Sequence, residues 1–262
     1  MDAEVTMVSG KERRMRRLLG ADGKALFVAV DHSLTTGPTD GLSDMRVTLQ
    51  AVVSGGADAV IAHRGTAARD MPLQRETGLV IHLSGNTRLS NESDLKIRVC
   101  DPETAAALGA DAVSAHLTFS GDHREDREAL ADLGRIARSC DRLGLPLLVM
   151  TYTRITTEDR AAATLHAARA ASELGADIVK VAHPGEKHLH DLAAMLTIPV
   201  VIAGGEANDD WNNFLKSART IMAAGVAGLC VGRRIFTQAD PVRATAALRA
   251  AVHAEAQKAQ AF

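Results

Sequence analysis

The chain has 262 residues, 46% of them hydrophobic and 24% charged, which is ordinary for a globular protein and about the size of one α/β barrel. A formal charge of −2 gives no overall attraction to nucleic acid or to an anionic membrane surface. Three cysteines without CxxC spacing argue against a disulfide framework and a structural zinc site, and no apolar run reaches the roughly 18 residues that a membrane span needs.

Short runs rich in Val, Ile, Leu and Ala recur along the chain and alternate with helical stretches. They predict eight strands, at Ala25–Val30, Ala57–Ala62, Leu79–Leu83, Ala112–Leu117, Pro146–Met150, Ile178–Ala182, Pro199–Ala203 and Gly228–Val231. Apolar strands that alternate with helices indicate a parallel sheet covered on its faces, and eight such units favour a single (β/α)8 TIM barrel.

No linker interrupts the sequence, so we expect one domain over residues 1–262. An N-terminal extension or helix is expected at 1–20, the barrel at 21–253 and a tail at 254–262. The basic N-terminus is not followed by an apolar segment of secretory type, so the chain is expected to be cytoplasmic.

A Gly-Ala-Asp repeat supports the barrel. Copies begin at Gly56, Gly109 and Gly175, before the second, fourth and sixth predicted strands, and a degenerate copy begins at Gly225 before the eighth. The starts are 53, 66 and 50 residues apart, and each interval has room for two β/α units. Each glycine suits the position just after a helix, although such turns are common in any α/β protein.

Lys180 is the most informative residue at the ends of the strands, where barrel enzymes carry their active sites. Strand alternation puts Lys180 on the face of Ile178 and Ala182, and Val179 and Val181 on the opposite, helix-facing side. Burial disfavours the ammonium, so we expect a lowered pKa and a neutral amine that can attack a carbonyl to form an imine. The alternatives are a lysine that holds an acid inside the barrel and a strand register that leaves Lys180 on the outside.

Two further residues at strand ends could move protons. Asp31 follows the first strand and could accept a proton or hold a substrate hydroxyl, or it could form an Asx turn. Tyr152, the only tyrosine, could protonate a developing alkoxide, or it could be an amphipathic residue packed at the barrel mouth.

The last two predicted strands are followed by glycines. Gly204 and Gly205 follow the seventh strand, and Gly232 with Arg233 follows the eighth. Barrel enzymes often bind phosphate on these two loops, where glycine lets backbone N–H groups approach the oxygens. Turn glycines and a surface arginine are the alternative.

Histidines recur at the strand ends, at His32, His63, His82, His116 and His183. Several imidazoles together could bind zinc or iron. The first strand has no His-x-His pattern and the chain has no HExxH motif, so we interpret most of them as polar groups of a wet barrel mouth and expect no metal.

Seven stretches in chain order carry a family resemblance. They are Val30-Asp31-His32-Ser33 with Thr36-Gly37-Pro38, Ile81-His82-Leu83-Ser84-Gly85, Gly109-Ala110-Asp111-Ala112-Val113-Ser114, Met150-Thr151-Tyr152, Gly175-Ala176-Asp177-Ile178-Val179-Lys180, Ala203-Gly204-Gly205 and Val231-Gly232-Arg233-Arg234-Ile235-Phe236. With them the chain resembles the archaeal-type class I fructose-bisphosphate aldolase family. The nearest branch is that of the 2-amino-3,7-dideoxy-D-threo-hept-6-ulosonate synthases and the related 2-amino-4,5-dihydroxy-6-oxo-7-(phosphonooxy)heptanoate synthases.

The resemblance implies roles for the strand-end residues. Lys180 would be the Schiff-base lysine, Tyr152 the acid/base residue and Asp31 a helper with protons or substrate hydroxyls. The substrate and its phosphate would be bound by His32, Ser33, Arg154, Gly204, Gly205, Gly232 and Arg233. It further implies no cofactor beyond the covalent imine on Lys180, no metal, and a homo-oligomer, commonly a decamer in the family.

Departures from the family pattern bear on the substrate. Leu34-Thr35-Thr36-Gly37-Pro38 replaces a Glu-His-Gly-Pro stretch, Ser33 stands where Gly is usual, and Thr153 follows Tyr152 where Pro is frequent. These differences favour the amino-sugar-like branch over a glycolytic role. We therefore expect a biosynthetic aldolase, of the secondary-metabolism type, that joins dihydroxyacetone phosphate to aspartate semialdehyde. Arg154 or Arg64 would meet the carboxylate of the aldehyde, unless both lie at the surface.

Several alternatives stay open at this point. Within the family they are a transaldol reaction of the 2-amino-3,7-dideoxy-D-threo-hept-6-ulosonate synthase type, fructose-bisphosphate aldol cleavage, and acyl transfer. Outside it they are a metal-dependent hydrolase that uses the mouth histidines and a barrel that binds a phosphorylated ligand without catalysis.

Overall fold

Eight parallel strands close into a barrel in the computed structural model, which describes residues 9–73, 76–89, 96–155, 157, 159–205 and 210–254. Round the barrel the order is β1-β10-β9-β8-β7-β6-β3-β2, and β4 and β5 form a separate antiparallel pair. The strands are β1 (Ala25–Ala29), β2 (Ala59–Ala62), β3 (Gly78–His82), β4 (Ser84–Gly85), β5 (Ile97–Arg98), β6 (Ala112–Phe119), β7 (Leu147–Thr153), β8 (Ile178–Val181), β9 (Val200–Ala203) and β10 (Gly228–Val231).

Helices follow the strands and surround the barrel. They are α1 (Gly10–Leu18), α2 (Ser33–Thr36), α3 (Met45–Ser54), α4 (Arg64–Asp70), α5 (Pro102–Ala107), α6 (His123–Leu143), α7 (Arg160–Glu173), α8 (Glu186–Met195), α9 (Trp211–Ala223), α10 (Arg233–Phe236) and α11 (Pro241–Val252). Within the described residues, no helix is both long enough and apolar enough to cross a bilayer.

The eight predicted barrel strands are confirmed, with shifted ends. β2 begins at Ala59 rather than Ala57, and β7 continues to Thr153 rather than ending at Met150. The extension has a structural reason, because β6 and β7 pair in register from Val113 with Leu147 to Phe119 with Thr153. These two strands therefore project furthest toward the barrel mouth.

The predicted alternation of inner and outer faces is also confirmed. Ile178 packs in the cluster inside the barrel, while Val179 and Val181 pack in the larger cluster between strands and helices. Lys180 has the parity of Ile178 and therefore points inward.

The Gly-Ala-Asp repeat closes the end of the barrel opposite the site. Each glycine follows a helix with positive φ, 84° at Gly56, 81° at Gly109 and 97° at Gly175, a conformation that glycine adopts without strain. Each aspartate accepts a hydrogen bond from a backbone N–H in the first two residues of a neighbouring strand. The bonds run from Leu26 to Asp58 (2.7 Å), from Leu79 to Asp111 (3.0 Å) and from Leu147 to Asp177 (2.8 Å).

The chain ends reinforce the same face. Leu18, at the end of α1, is fully buried within the inner cluster. On the same helix, Lys11 pairs with Asp177 at 2.9 Å and Arg17 with Asp111 at 2.8 Å. α1 lies within the predicted extension at 1–20, while residues 1–8 and most of the predicted tail, 255–262, lie outside the described residues.

Candidate active site

Lys180 lies on the inner face of β8, between Met150 of β7 and Val201 of β9. Its Nζ is 3.8 Å from Met150 Sδ. Lys180 is the only cationic residue of the described strand β8. The charged or ionisable groups that act on it most strongly are Cys230, Tyr152 and Asp31.

The resting charge of Lys180 differs from the sequence expectation. Burial lowers the pKa of Lys180, but attraction to Cys230, Tyr152 and Asp31 outweighs burial, so the pKa is raised above its ordinary value. Burial also raises the pKa of the Cys230 thiol. The predicted lowering of the Lys180 pKa is wrong, because it considered burial alone and not the three neighbouring ionisable groups.

Asp31 follows β1 and lies between two imidazoles. Its carboxylate oxygens are 3.6 Å from His32 Nδ1 and 3.7 Å from His82 Nε2. Burial acts to raise the pKa of Asp31, but His82, His32 and Lys180 together lower it well below its usual range. Asp31 is thus a carboxylate at neutral pH rather than a proton donor.

A row of rings lines the mouth from β2 to β7. Ring centroids are 5.3 Å apart between His63 and His82, 5.0 Å between His82 and His116, and 4.9 Å between His116 and Tyr152. The last two rings are stacked, with 8° between their planes. Tyr152 therefore has its orientation set by His116, while 37% of its surface stays exposed to the barrel mouth.

The buried imidazoles of this row are neutral at neutral pH. Burial lowers the pKa of His82 to about 3 and holds the pKa of His116 well below its ordinary value. His82 Nδ1 shares a 2.8 Å hydrogen bond with Ser114 Oγ, and its buried Nε2 has no hydrogen-bond partner among the described residues. Across the described part of the chain, no three His, Cys, Asp or Glu side chains are arranged as a metal-ligand set.

Lys96 is a second lysine at the mouth, and the sequence analysis missed it. It precedes β5, and its Nζ is 3.1 Å from His116 Nε2. Burial lowers the pKa of Lys96. Attraction to Asp31 partly offsets this effect, and repulsion from Lys180 adds to it. Lys96 lies in a polar stretch without strand or helix periodicity, so only the scarcity of lysine in this chain could have drawn attention to it.

The two glycine loops meet on the opposite side of the mouth. A Cβ atom at Gly232 would lie 2.6 Å from both the Ala29 carbonyl oxygen and a ring carbon of His32, and a Cβ at Gly204 would lie 2.9 Å from Val231. Gly205 has a φ of 68°, which glycine tolerates best. Close packing therefore requires glycine at both loops.

Arg234, the neighbour of the predicted phosphate-binding Arg233, joins these loops. Arg234 is buried, its Nε donates to the Gly204 carbonyl oxygen at 2.9 Å, and its guanidinium lies 4.4 Å from the ring centre of Phe214. Arg233 is exposed at the start of α10. Burial is the main cause of the lowered pKa of His32, and the nearby charge of Arg233 lowers it further. The sequence offers no signal that separates the two adjacent arginines.

The remaining predicted residues lie at different distances from this cluster. Ser33 is half-buried at the start of α2, next to His32, and Arg154 is exposed just after β7. His183 is exposed and accepts a hydrogen bond from the Gly185 backbone within its own loop, so it does not join the imidazole row. Arg64 is exposed at the first position of α4.

The closed barrel, the lysine inside its mouth and the similarity to known proteins together define the class of protein. It is a class I aldolase and hence a carbon–carbon lyase. The chain belongs to the DeoC/LacD family of aldolases, whose model matches residues 25–238. It is 39% identical over 252 residues to a 2-amino-3,7-dideoxy-D-threo-hept-6-ulosonate synthase of Halobacterium salinarum, covering 95% of this chain and 93% of that protein.

Two further similarities extend this result. The chain is 32% identical over 234 residues to a 2-amino-4,5-dihydroxy-6-oxo-7-(phosphonooxy)heptanoate synthase of Streptomyces griseus, covering 87% of this chain and 85% of that protein. Its fold matches an archaeal fructose-1,6-bisphosphate aldolase whose catalytic lysine is covalently bound to the carbinolamine intermediate of the substrate. That match has a TM-score of 0.82 and 26% identity, and covers 92% of this chain and 98% of the other. The recognition of the family and of its nearest branch is thus confirmed.

Proposed function

We propose that the chain is a Schiff-base aldolase in which Lys180 captures a phosphorylated ketone, dihydroxyacetone phosphate, and the resulting enamine adds to aspartate semialdehyde. One observation carries the proposal: the Lys180 amine points into the barrel mouth beside both a carboxylate, Asp31, and a phenol, Tyr152. The archaeal aldolase with a carbinolamine on its catalytic lysine supports the same chemistry here.

The donor phosphate is proposed to bind on the loops after β9 and β10. Gly204, Gly205 and Gly232 keep these loops free of side chains, and Arg233 supplies a cation at their edge. His32 and Ser33 lie on the neighbouring loop after β1, where they would contact the donor between its phosphate and its carbonyl. Phosphate binding would supply energy that orients the carbonyl toward Lys180.

The reaction is proposed to begin with the loss of a proton from the Lys180 ammonium. The amine nitrogen then bonds to the ketone carbon, and the carbonyl oxygen takes up two protons and leaves as water. Loss of a proton from the adjacent carbon gives the enamine. Asp31, an anion beside neutral imidazoles, would stabilise the iminium and hold a donor hydroxyl.

The bond-forming step uses the other side of the mouth. The enamine carbon bonds to the aldehyde carbon, and the Tyr152 hydroxyl protonates the oxygen of the new alkoxide. Water then adds to the iminium carbon, which releases the ketone product and restores the Lys180 amine. The stacked His116 ring would hold the phenol in position during this step.

The names of the two relatives support the acceptor. Reversing an aldol addition in 2-amino-4,5-dihydroxy-6-oxo-7-(phosphonooxy)heptanoate divides it into aspartate semialdehyde and dihydroxyacetone phosphate. The same cut in 2-amino-3,7-dideoxyhept-6-ulosonate gives aspartate semialdehyde again, with a three-carbon ketone unit that ends in methyl instead of phosphate. The two reactions therefore share the acceptor and differ at the end of the donor.

A transaldol reaction is the second candidate, because the higher identity is to the ulosonate synthase. In that case the three-carbon unit would reach Lys180 by cleavage of a larger sugar phosphate. The glycine loops, with Arg233 beside them, favour a phosphate on the unit bound at Lys180, and we therefore place the direct aldol addition first.

Product analysis tests the choice of substrates. The purified enzyme is incubated with aspartate semialdehyde and either dihydroxyacetone phosphate or hydroxyacetone, and the products are identified by mass spectrometry. We expect the phosphorylated seven-carbon amino acid from the first mixture and much less product from the second. Preferential product from hydroxyacetone, or from dihydroxyacetone phosphate with glyceraldehyde 3-phosphate, would contradict the assignment.

We further propose that the protein is a cytoplasmic homo-oligomer, with the decamer of its family as the expected form. Large apolar side chains on the mouth face support an interface between copies. Leu34, Leu89 and Ile97 are 44%, 96% and 67% exposed. Exposed apolar groups gathered on one face are typical of protein–protein contacts.

A further inference from the structure

A pocket adjoins the site on the side away from the glycine loops. It lies between α6 and the β4–β5 pair, has a volume of about 450 Å³, and reaches the mouth at Lys96 and His116. It is open to solvent at its outer end, where Arg154 and Glu125 form part of its wall.

The position of this pocket follows from the order of the barrel strands. Four strands separate the junction of β9 and β10 from the junction of β3 and β6 in either direction round the barrel, so the two junctions are diametrically opposite. The glycine loops follow the first pair of strands, while the β4–β5 pair and α6 follow the second. A donor with its phosphate at the glycine loops and its carbonyl at Lys180 thus directs its reactive carbon toward the pocket.

The pocket carries both signs of charge. Lys96, Arg98, Arg135 and Arg154 supply cations, and Glu125, Glu128 and Asp132 supply carboxylates. Arg98 and Arg135 are both paired with Asp132, at 3.2 and 3.3 Å. Lys96, at the inner end, is held by a neutral imidazole instead of a carboxylate, and Glu125 is a half-buried acid nearer the outer end.

We propose that this pocket binds the amino-acid end of the acceptor aldehyde, with Lys96 and Arg154 facing its carboxylate and Glu125 facing its ammonium. The inference rests on the proposed function and names the subsite that selects a zwitterionic aldehyde. Among the described residues, the only group within hydrogen-bond distance of the Lys96 amine is the neutral ring of His116. Lys96 therefore gains a charged partner when a carboxylate binds. The aldehyde carbon would then lie by Tyr152, which stacks on His116.

The experiment compares a charged aldehyde with an uncharged one of the same length. The kcat/KM for aspartate semialdehyde and for butanal is measured at saturating dihydroxyacetone phosphate in the wild type, Lys96→Met and Arg154→Met. Lys216→Met is the matched control, because Lys216 is exposed on α9, outside the pocket lining. L-Homoserine, in which an alcohol replaces the aldehyde, serves as a competitive inhibitor against aspartate semialdehyde.

We expect Lys96→Met to lower kcat/KM for aspartate semialdehyde roughly ten- to a hundredfold, through KM, and to change that for butanal less than about threefold. Inhibition by homoserine should weaken in parallel, Arg154→Met should act in the same direction, and Lys96→Arg should restore part of the loss. Lys216→Met should match the wild type.

Equal losses for both aldehydes would overturn the proposal, because they would show that Lys96 acts only through His116 and Tyr152. Failure of homoserine to compete in the wild type would also overturn it. Trapping of the wild type by dihydroxyacetone phosphate and borohydride is run in parallel. If no adduct forms, the proposed function itself fails; if the adduct forms while the selectivity for aspartate semialdehyde is unaffected, only the subsite is wrong.

Discussion

Lys180 and Asp31 each contribute to the charge of the other. Burial alone would favour the neutral form of both residues, yet Cys230, Tyr152 and Asp31 raise the pKa of Lys180, and His82, His32 and Lys180 lower the pKa of Asp31. The resting site therefore holds an ammonium and a carboxylate. A proton must leave Lys180 before its nitrogen can attack a carbonyl.

This charge state predicts the dependence of activity on pH. Below the raised pKa of Lys180 the neutral amine is the minor species, and its fraction increases about tenfold for each pH unit. We expect kcat/KM for the ketone donor to keep rising from about pH 6 to about pH 9. A plateau that begins near pH 7 would show instead that burial controls the amine.

Replacing Asp31 tests the same coupling from the other side. Asp31→Asn removes one of the groups that raise the pKa of Lys180, after Cys230 and Tyr152, so the pH profile of kcat/KM should shift to lower pH. The maximal rate should fall about a hundredfold or more, because Asp31 is proposed to stabilise the iminium. Asp191→Asn, on the exposed surface of α8, is the matched control. An unshifted profile in Asp31→Asn would contradict the coupling.

At the scale of elements, the barrel end opposite the site is held by ion pairs with the repeated aspartates. His253, which follows α11, lies 2.9 Å from Asp58 and 2.8 Å from Asp22, so it links the end of the described chain to the loops that flank β1 and β2. The hydrogen bond to Asp58 raises the pKa of His253. Burial partly offsets this rise, and the hydrogen bond to Asp22 adds to it. The same histidine lowers the pKa of Asp22 against the effect of burial.

The raised pKa of His253 gives a stability prediction with a definite sign. A folded-state pKa above the unfolded value of 6.5 means that the stabilisation is complete below pH 6.5 and is lost as pH rises through the folded pKa. His253→Gln should therefore cost about 1–3 kcal/mol at about pH 6 and less at about pH 9, as measured by urea unfolding. His190→Gln, exposed on α8, should cost little at either pH. Equal costs of His253→Gln at both pH values would contradict the pairing.

The sequence predicts the barrel well because strand and repeat patterns are local. Apolar runs separated by helices give all eight strands, and the glycines of the Gly-Ala-Asp repeat lie just after helices as expected. The inward direction of Lys180 follows from alternation alone. These features depend on neighbours in the chain, which a sequence displays directly.

The electrostatics and the inserted pair of short strands could not be predicted in the same way. The charge on Lys180 depends on groups that are distant in the chain, Cys230, Tyr152 and Asp31, of which Asp31 is 149 positions away. The position of Lys96 depends on a two-residue pairing between β4 and β5 within a polar stretch. Arg233 and Arg234 are adjacent and alike in sequence, and their environments differ only in the folded structure, where Arg234 is buried against Phe214 and donates to the Gly204 carbonyl oxygen. The roles assigned to the site residues, and the single-domain boundaries, stay predictions.

On the scale of the whole molecule, the two proposed substrate-binding regions lie on opposite sides of the barrel mouth. The glycine loops after β9 and β10 lie across the mouth from the pocket beside α6, and Lys180 and Tyr152 lie between them on adjacent strands. The closed ring of strands sets the relative positions of these loops. The proposed chemistry depends on one bond, between the Lys180 nitrogen and the carbon of the ketone.

Borohydride reduction in the presence of dihydroxyacetone phosphate tests that bond directly, with the modified peptide located by mass spectrometry. We expect an adduct on Lys180, loss of activity in proportion to labelling, and no adduct in Lys180→Met, while Lys187→Met should be labelled like the wild type. An unlabelled wild-type protein that nevertheless forms product, or an adduct on Lys96 in place of Lys180, would contradict it.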